Sequence, residues 1–443
     1  LEDKLEEELL PNTPVEAKLG LQILYMDKGI YLYNLDQTII SQGIYQILDF
    51  FLKDDNLEEI MYDGPEQPIK VYHKQYGMCD TSVKIDESIA MSLIQWIVKQ
   101  NGKVIDATHP IFDGTLYDGS RVNITIPPAS PKYSTITIRR FATNLITVLD
   151  LIKGGSVSEE IAAFIWTAIE GLGYKPSNML VVGGTGSGKT TFLNAITMFV
   201  PRKARIVTIE DTAELKVKHA NLLTMVSKKE QGVTMDMLLK NTLRQRPDRI
   251  LVGEVRGPEA ITLFGAMNTG HDGCMGTLHA NNARECIDRV TNPPMSVPPM
   301  MMNALDLILV LKKVNTPDGM KRVIEEITEV SSSGGNVRFN QLYTYDANKD
   351  KLVSTGIPSR IREKISKQAG ITAQDFDFLI KDREKVLKRM IAIDKEKEIT
   401  ENYFFHLIEI NRDHWRDELK KGKMEKLKSW IARLKKEEDV LYL

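Results

Sequence analysis

The chain has 443 residues, too many for one ordinary hydrophobic core, so roughly two or three domains are expected, each able to bury a stable interior. Its 58 Lys and Arg stand against 60 Asp and Glu, a formal charge of −2, which excludes the global basic field of a protein that wraps nucleic acid; no nucleic-acid partner is expected. Cys79, Cys274 and Cys286 form no close pair, no apolar run approaches the ~18 residues a membrane helix needs, and the acidic opening Leu1-Glu2-Asp3 is the opposite of a signal peptide, so the reading is a cytoplasmic chain with any membrane attachment peripheral.

Leu1, Leu5 and Leu9 among acids have the pattern of a short amphipathic helix, which Pro11 and Pro14 would end. From Leu57 to Val71 the chain reads as short strands and turns about Asp63-Gly64-Pro65. A helix follows from about Ser88 to Gln100, with Ile89, Leu93, Trp96 and Ile97 on one face and Gly102 closing it. The turn-rich stretches Asp118-Gly119-Ser120 and Pro127–Pro131 bracket a strand carrying Arg121, and the alternating run Ser134–Phe141 forms another carrying Arg139 and Arg140. These elements predict an α/β N-terminal domain over residues 1–141. Residues 142–155 read as a linker. Ser156 and Glu159 have capping-box spacing ahead of an apolar helix over 161–169, which opens a second domain spanning 156–357.

Within that domain, apolar strand candidates recur at Met179–Val182, Ala204–Ile209, Arg249–Val252 and Met275–Leu278 with helical lengths between them, which implies a largely parallel, wound sheet. From Leu305 to Thr355 the pattern changes to strand pairs joined at Thr316–Gly319 and Ser333-Gly334-Gly335, an antiparallel extension of that sheet. Residues 358–443 read as a helical, charged C-terminal extension, in which Leu427, Trp430, Ile431 and Leu434 share one helix face.

The octapeptide Gly183–Thr190 between strand and helix is a nucleotide phosphate site: glycines let successive amides turn toward phosphate oxygens, and the following helix offers its positive end. The expected nucleotide contacts are Gly184, Thr185, Gly186, Ser187, Gly188, Lys189, Thr190 and Thr191, with ATP and Mg²⁺ as the ligands. Thr190 and Glu254, the latter at the tip of an apolar strand, suit the hard divalent cation. Glu210, at another strand end, is the candidate general base; at least one of Asp211 and Glu214 reads as a cap for a following helix. His279 fits an imidazole sensing phosphate better than it fits a zinc ligand with His271 and Cys274. Charge on a transferring phosphoryl group also calls for arginines, and Arg121, Arg139, Arg140, Arg244, Arg246 and Arg256 are the candidates.

Taken together, Gly183–Thr190, Ile209–Glu214, Arg244–Arg256 and Thr269–Asn281 resemble, in order and spacing, the secretion ATPase superfamily of type II secretion, type IV pili and archaella. The run Ala266–Gly273, the ending Thr277–Asn282 and the phrase Leu57–Gly64 resemble its archaeal branch most closely. The resemblance implies a RecA-like P-loop NTPase domain with a smaller α/β N-terminal domain, assembled as a hexameric ring in which ATP sits between the two and domain closure does work. It implies a Mg²⁺-dependent ATPase powering an archaeal type IV-like pilus, with the archaellum motor as the alternative, acting on a polytopic membrane platform protein at the inner face of the membrane. By motif, Lys189 and Thr190 fall in the phosphate loop, Glu210 in the acidic box, Glu254 in the second nucleotide strand and His279 in the histidine box. Arg121 matches an N-domain arginine that reaches the phosphates, and either Arg139 or Arg140 matches the other. The four-cysteine zinc insertion of many bacterial members is absent from the sequence. A RecA-type translocase and a non-hydrolysing nucleotide switch are the readings from other classes.

Overall fold

The computed structural model describes residues 22–26, 30–35, 43–140, 146–228, 231–316, 319–396 and 401–421. The leucine pattern of residues 1–9 and the Leu427–Leu434 face lie outside them. The chain divides into two units, Leu1–Leu145 and Ile146–Leu443.

The first unit runs β1 (Gln22–Met26), β2 (Ile30–Asn34), α1 (Ile44–Lys53), β3 (Leu57–Tyr62), β4 (Lys70–His73), β5 (Gly77–Thr81), α2 (Glu87–Gln100), β6 (Ile111–Thr115), β7 (Arg121–Thr125) and β8 (Thr135–Arg139). Its strands form one sheet in the order β1-β2-β5-β4-β3-β8-β7-β6, antiparallel except between β2 and β5. Alternation along β7 and β8 sends Val122, Ile124, Ile136 and Ile138 into a core shared with Phe51 of α1 and Ile94 and Ile97 of α2. Helix α2 starts where Asp86 accepts the Ile89 amide at 2.9 Å. Its buried stripe is Ala90, Leu93, Ile94, Ile97 and Val98, a register that turns Ile89 outward, 38% exposed, against the expectation that it faced the core.

The second unit opens earlier than the sequence pattern predicts. The expected linker contains α3 (Val148–Lys153), whose N-cap is a reciprocal box: Thr147 accepts the Asp150 amide while Asp150 accepts that of Thr147. The next helix, α4 (Glu159–Glu170), is capped by Ser158, which accepts the Ile161 amide, and not by Ser156. There follow β9 (Met179–Gly183), α5 (Lys189–Ile196), β10 (Ile206–Glu210), β11 (Leu222–Val226), α6 (Met235–Thr242), β12 (Arg249–Val252), α7 (Glu259–Asn268), β13 (Met275–Leu278), α8 (Ala283–Thr291), β14 (Leu307–Thr316), β15 (Gly319–Ser333), β16 (Asn336–Asp346), β17 (Lys351–Ser354), α9 (Arg360–Ala369), α10 (Ala373–Glu396) and α11 (Glu401–Lys421). The sheet order is β11-β10-β12-β13-β9-β14-β15-β16-β17: parallel from β11 through β14, antiparallel beyond. This is the doubly wound, RecA-like P-loop arrangement. Strands β9, β10, β12 and β13 are buried at every position, as strands covered on both faces must be. One face packs Met179, Val181, Leu309 and Leu311 against α4 and α5; the other packs Leu180, Val182, Ile209 and Val252 against α6, α7 and α8.

The helical extension is built into this core by buried charge. Glu329, 2% exposed on β15, accepts the Arg360 and Ile361 amides at 2.9 Å each, an anion at the amino end of α9. Arg383 of α10, fully buried, pairs with Glu170 of α4 at 2.8 Å, donates to Thr167 at 3.1 Å and lies 4.4 Å over the Trp166 ring. Trp166 also donates to Glu170 at 2.9 Å and stacks on Phe199. Glu170 also lies 3.4 Å from the buried Arg412 Nε, so losing Arg383 removes the shorter of its two ion pairs together with the Thr167 and Trp166 contacts, in a low-dielectric interior. Arg383→Met is therefore expected to destabilise the protein by about 3–5 kcal/mol, read as a lowered urea midpoint, and adding Glu170→Gln should restore part of it. A midpoint equal to wild type would contradict this.

Candidate nucleotide site

In a parallel sheet every strand delivers its carboxyl end to the same edge. Here that edge receives the loop after β9, Glu210 at the end of β10, Glu254 two residues past β12 and His279 just past β13. Gly253 N donates to Ile209 O at 2.9 Å and Val255 N to Thr277 O at 2.8 Å, so the chain on either side of Glu254 stays in register with its neighbours beyond the strand itself.

The phosphate loop closes on itself. Lys189 Nζ donates to the carbonyls of Gly183 and Gly184 at 2.9 Å each, and Ser187 Oγ to that of Gly184 at 2.9 Å. Gly188 caps α5 with φ +88°, a left-handed conformation that favours glycine. The first turn of α5 offers the amides and the positive helix end that an anion would meet. Gly184, Thr185, Gly186, Lys189, Thr190 and Thr191 are at least partly exposed, whereas Ser187 is buried.

The acidic side is more ordered than the sequence implies. No helix follows Glu210; residues 211–220 are irregular, which corrects the expectation that Asp211 or Glu214 caps one. Instead Glu210, 1% exposed, turns its Oε1 onto the amides of Glu214 and Leu215 at 2.9 and 2.8 Å and so folds the segment back. That route runs over Gly253, where an added Cβ would lie 2.9 Å from Glu210 Cγ. The fold-back brings Glu214 Oε2 to 3.3 Å from the Thr190 hydroxyl. Asp211 accepts from Ser227 at 2.6 Å. Thr190, Glu214 and Glu254 are all hard oxygen donors, the chemistry that suits Mg²⁺. Glu254 is partly exposed and paired with Arg256, whose guanidinium that contact holds in its charged form.

Zinc does not fit beside His271. Cys274 is buried, its Sγ lies 3.0 Å from the His271 carbonyl, and burial pushes its thiol up to about 12. No group of three or more His, Cys, Asp or Glu that could hold a metal occurs among the described residues.

The arginines expected in the first unit part company. The side chain of Arg140 is 3% exposed, donates to Leu52 O at 3.1 Å and Leu57 O at 2.8 Å as well as to Asp54 O, and pairs with Asp55. Its guanidinium closes the carboxyl end of α1, a structural commitment that leaves no face for phosphate. Arg121 and Arg139 are directly opposite on β7 and β8, on the sheet face away from the core. Two cations next to the loop escaped the sequence reading altogether, Lys313 and Arg322 on β14 and β15; Arg322 Nε donates to Gly186 O at 3.0 Å.

Residues 57–352 match the family of type II/IV secretion system proteins. The chain belongs to that family. An uncharacterized protein of Methanocaldococcus jannaschii, MJ0781, is 47% identical over 270 residues, 59% of this chain, and the chain spans only 37% of that relative's length. The type IV secretion system protein VirB11 of Bartonella henselae is 30% identical over 301 residues, covering 60% of this chain and 84% of VirB11. Among solved structures, the Legionella pneumophila ATPase DotB aligns over 84% of this chain and 95% of its own at 18% identity and a TM-score of 0.48. Among the described residues of this secretion-family chain no helix is long and apolar enough to cross a membrane.

The histidine-box residue of the family motif, His279, has its pKa lowered from the usual 6.5, first by burial and then by the Lys189 charge, with Glu254 opposing. The folded state thus favours the neutral ring: its contribution to stability is fully present above pH 6.5 and is lost as pH falls through the depressed folded value. An NMR titration of His279 should give a midpoint below 6.5, moving upward in Lys189→Met. A midpoint at or above 6.5 would contradict this electrostatic account.

Proposed function

We propose that this chain is a Mg²⁺-dependent ATPase that drives secretion or filament assembly at the inner face of a membrane. The observation that carries the reading is the meeting of a lysine-bearing phosphate loop, the Thr190–Glu214 pair, Glu210 and Glu254 at one edge of a parallel sheet. The loop amides and Lys189 bind the triphosphate; Thr190 and Glu214 would hold the cation, which when bound would neutralise charge on the phosphate oxygens.

The two carboxylates divide the work differently from what the motifs alone imply. A general base must reach a water in line with the γ-phosphate. Glu210 is 1% exposed with one oxygen committed to two backbone amides, whereas Glu254 stands partly exposed at a strand tip. We therefore assign the water-activating role to Glu254 and a positioning role to Glu210, which sets Glu214 against Thr190. Arg256, which holds Glu254, steers that carboxylate, and neutral His279 can donate its ring N–H to a phosphate oxygen.

The relatives named as a probable conjugal transfer protein, TrbB, and as the type IV secretion system protein VirB11 support a role in transfer or secretion. The motif resemblance of the sequence extends the proposal to a homohexamer that works on a polytopic membrane platform protein to assemble a type IV-like pilus, ahead of the archaellum motor. In steady-state phosphate release, Glu254→Gln is expected to lower kcat by roughly 10²–10⁴ while leaving the ATP dissociation constant within about twofold of wild type. Normal turnover in Glu254→Gln would contradict the assignment.

A further inference from the structure

Along β14, Leu307, Leu309 and Leu311 point into the core beneath α5, and at the strand's end the same alternation delivers Lys313. Strand β9 stops at Gly183, paired with Leu311, so Lys313 lies past the end of β9, where the phosphate loop rises. Arg322 on β15 is the cross-strand partner of Lys313, and paired residues share a face. Both cations therefore extend the same sheet face, and both arrive against the loop.

The contacts are specific. Arg322 Nε donates to Gly186 O at 3.0 Å. A Cβ placed on Gly186, whose φ is +67°, would lie 2.6 Å from Lys313 Nζ, and one on Gly188 would lie 3.2 Å from Arg322 Cδ. The two glycines thus make room for the hairpin as well as for phosphate. A loop that turns its amides inward to an anion turns carbonyls outward, and a guanidinium on such a carbonyl holds that peptide plane.

We propose that Lys313 and Arg322 are a pair of nucleotide-positioning cations supplied by the same chain: Arg322 pins the phosphate loop through Gly186, and both lend positive charge to the bound di- or triphosphate. The inference rests on the nucleotide reading above and adds to it a basic wall that the loop motif does not contain. The hairpin couples the loop to the antiparallel half of the sheet.

The test is ADP binding to the full chain with Mg²⁺, by calorimetry, beside the melting temperature of the nucleotide-free protein. Lys313→Gln and Arg322→Gln are each expected to weaken ADP about tenfold at low salt, with the gap to wild type shrinking at about 0.5 M salt. Arg322→Lys should recover part of the loss, and the nucleotide-free melting temperature should not move. Wild-type affinity in both Gln variants, or a salt-independent loss that tracks a lowered melting temperature, would overturn the proposal. Lys189→Ala separates the two claims: if it loses ADP while the Gln variants do not, the pair is wrong and the nucleotide reading stands. If Lys189→Ala binds ADP like wild type, both fall.

Discussion

The parallel hydrogen-bond ladder is the constraint on which the rest of this protein depends. Ile209 pairs with Val252, Val252 with Gly276, Leu278 with Val182, and Gly183 with Leu311. Motifs separated by long stretches of sequence reach one edge only because six strands point the same way and hold that register. The register is enforced by burial on both faces, since alternate residues feed different cores and a one-residue slip would exchange them. Gly253 and Glu210 show how tightly the edge is drawn: the carboxylate crosses where a side chain would have stood.

Charge is then interleaved along that edge. Lys189 sits on its own loop, Arg256 on Glu254, Arg322 on the outside of the loop, and Glu214 beside Thr190. His279 is kept neutral among these by burial and by Lys189. An arrangement of this kind presents cations to phosphate. Away from the edge, Glu329 on β15 and the Glu170–Arg383 pair between α4 and α10 fix the helical extension to the rest of the second unit.

What the sequence made legible follows from how local each signal is. The phosphate loop, β12 with Glu254 and β13 with His279 are contiguous motifs whose meaning lies in a few neighbouring residues, and each falls at the expected strand end. Ile89 turns outward although its spacing fits the apolar face of α2, because one end residue can join either of two adjacent stripes and packing decides between them. The α3 helix hid in the expected linker because six residues carry too little periodicity to register, although Thr147 and Asp150 do have a cap pattern. Arg140 could not be told from Arg139 by spacing; only the path of the chain shows that it reaches the carbonyls at the end of α1. Lys313 and Arg322 belong to no motif, and their proximity to the loop is set by the β14–β15 register. The change from leucine to lysine in the alternation Leu307-Leu309-Leu311-Lys313 was the available hint.

If the sheet edge around Lys189 turns over ATP, the full chain with ATP and Mg²⁺ releases phosphate steadily, whereas Lys189→Ala releases it only at the no-enzyme level. Equal release from the two proteins would rule this out.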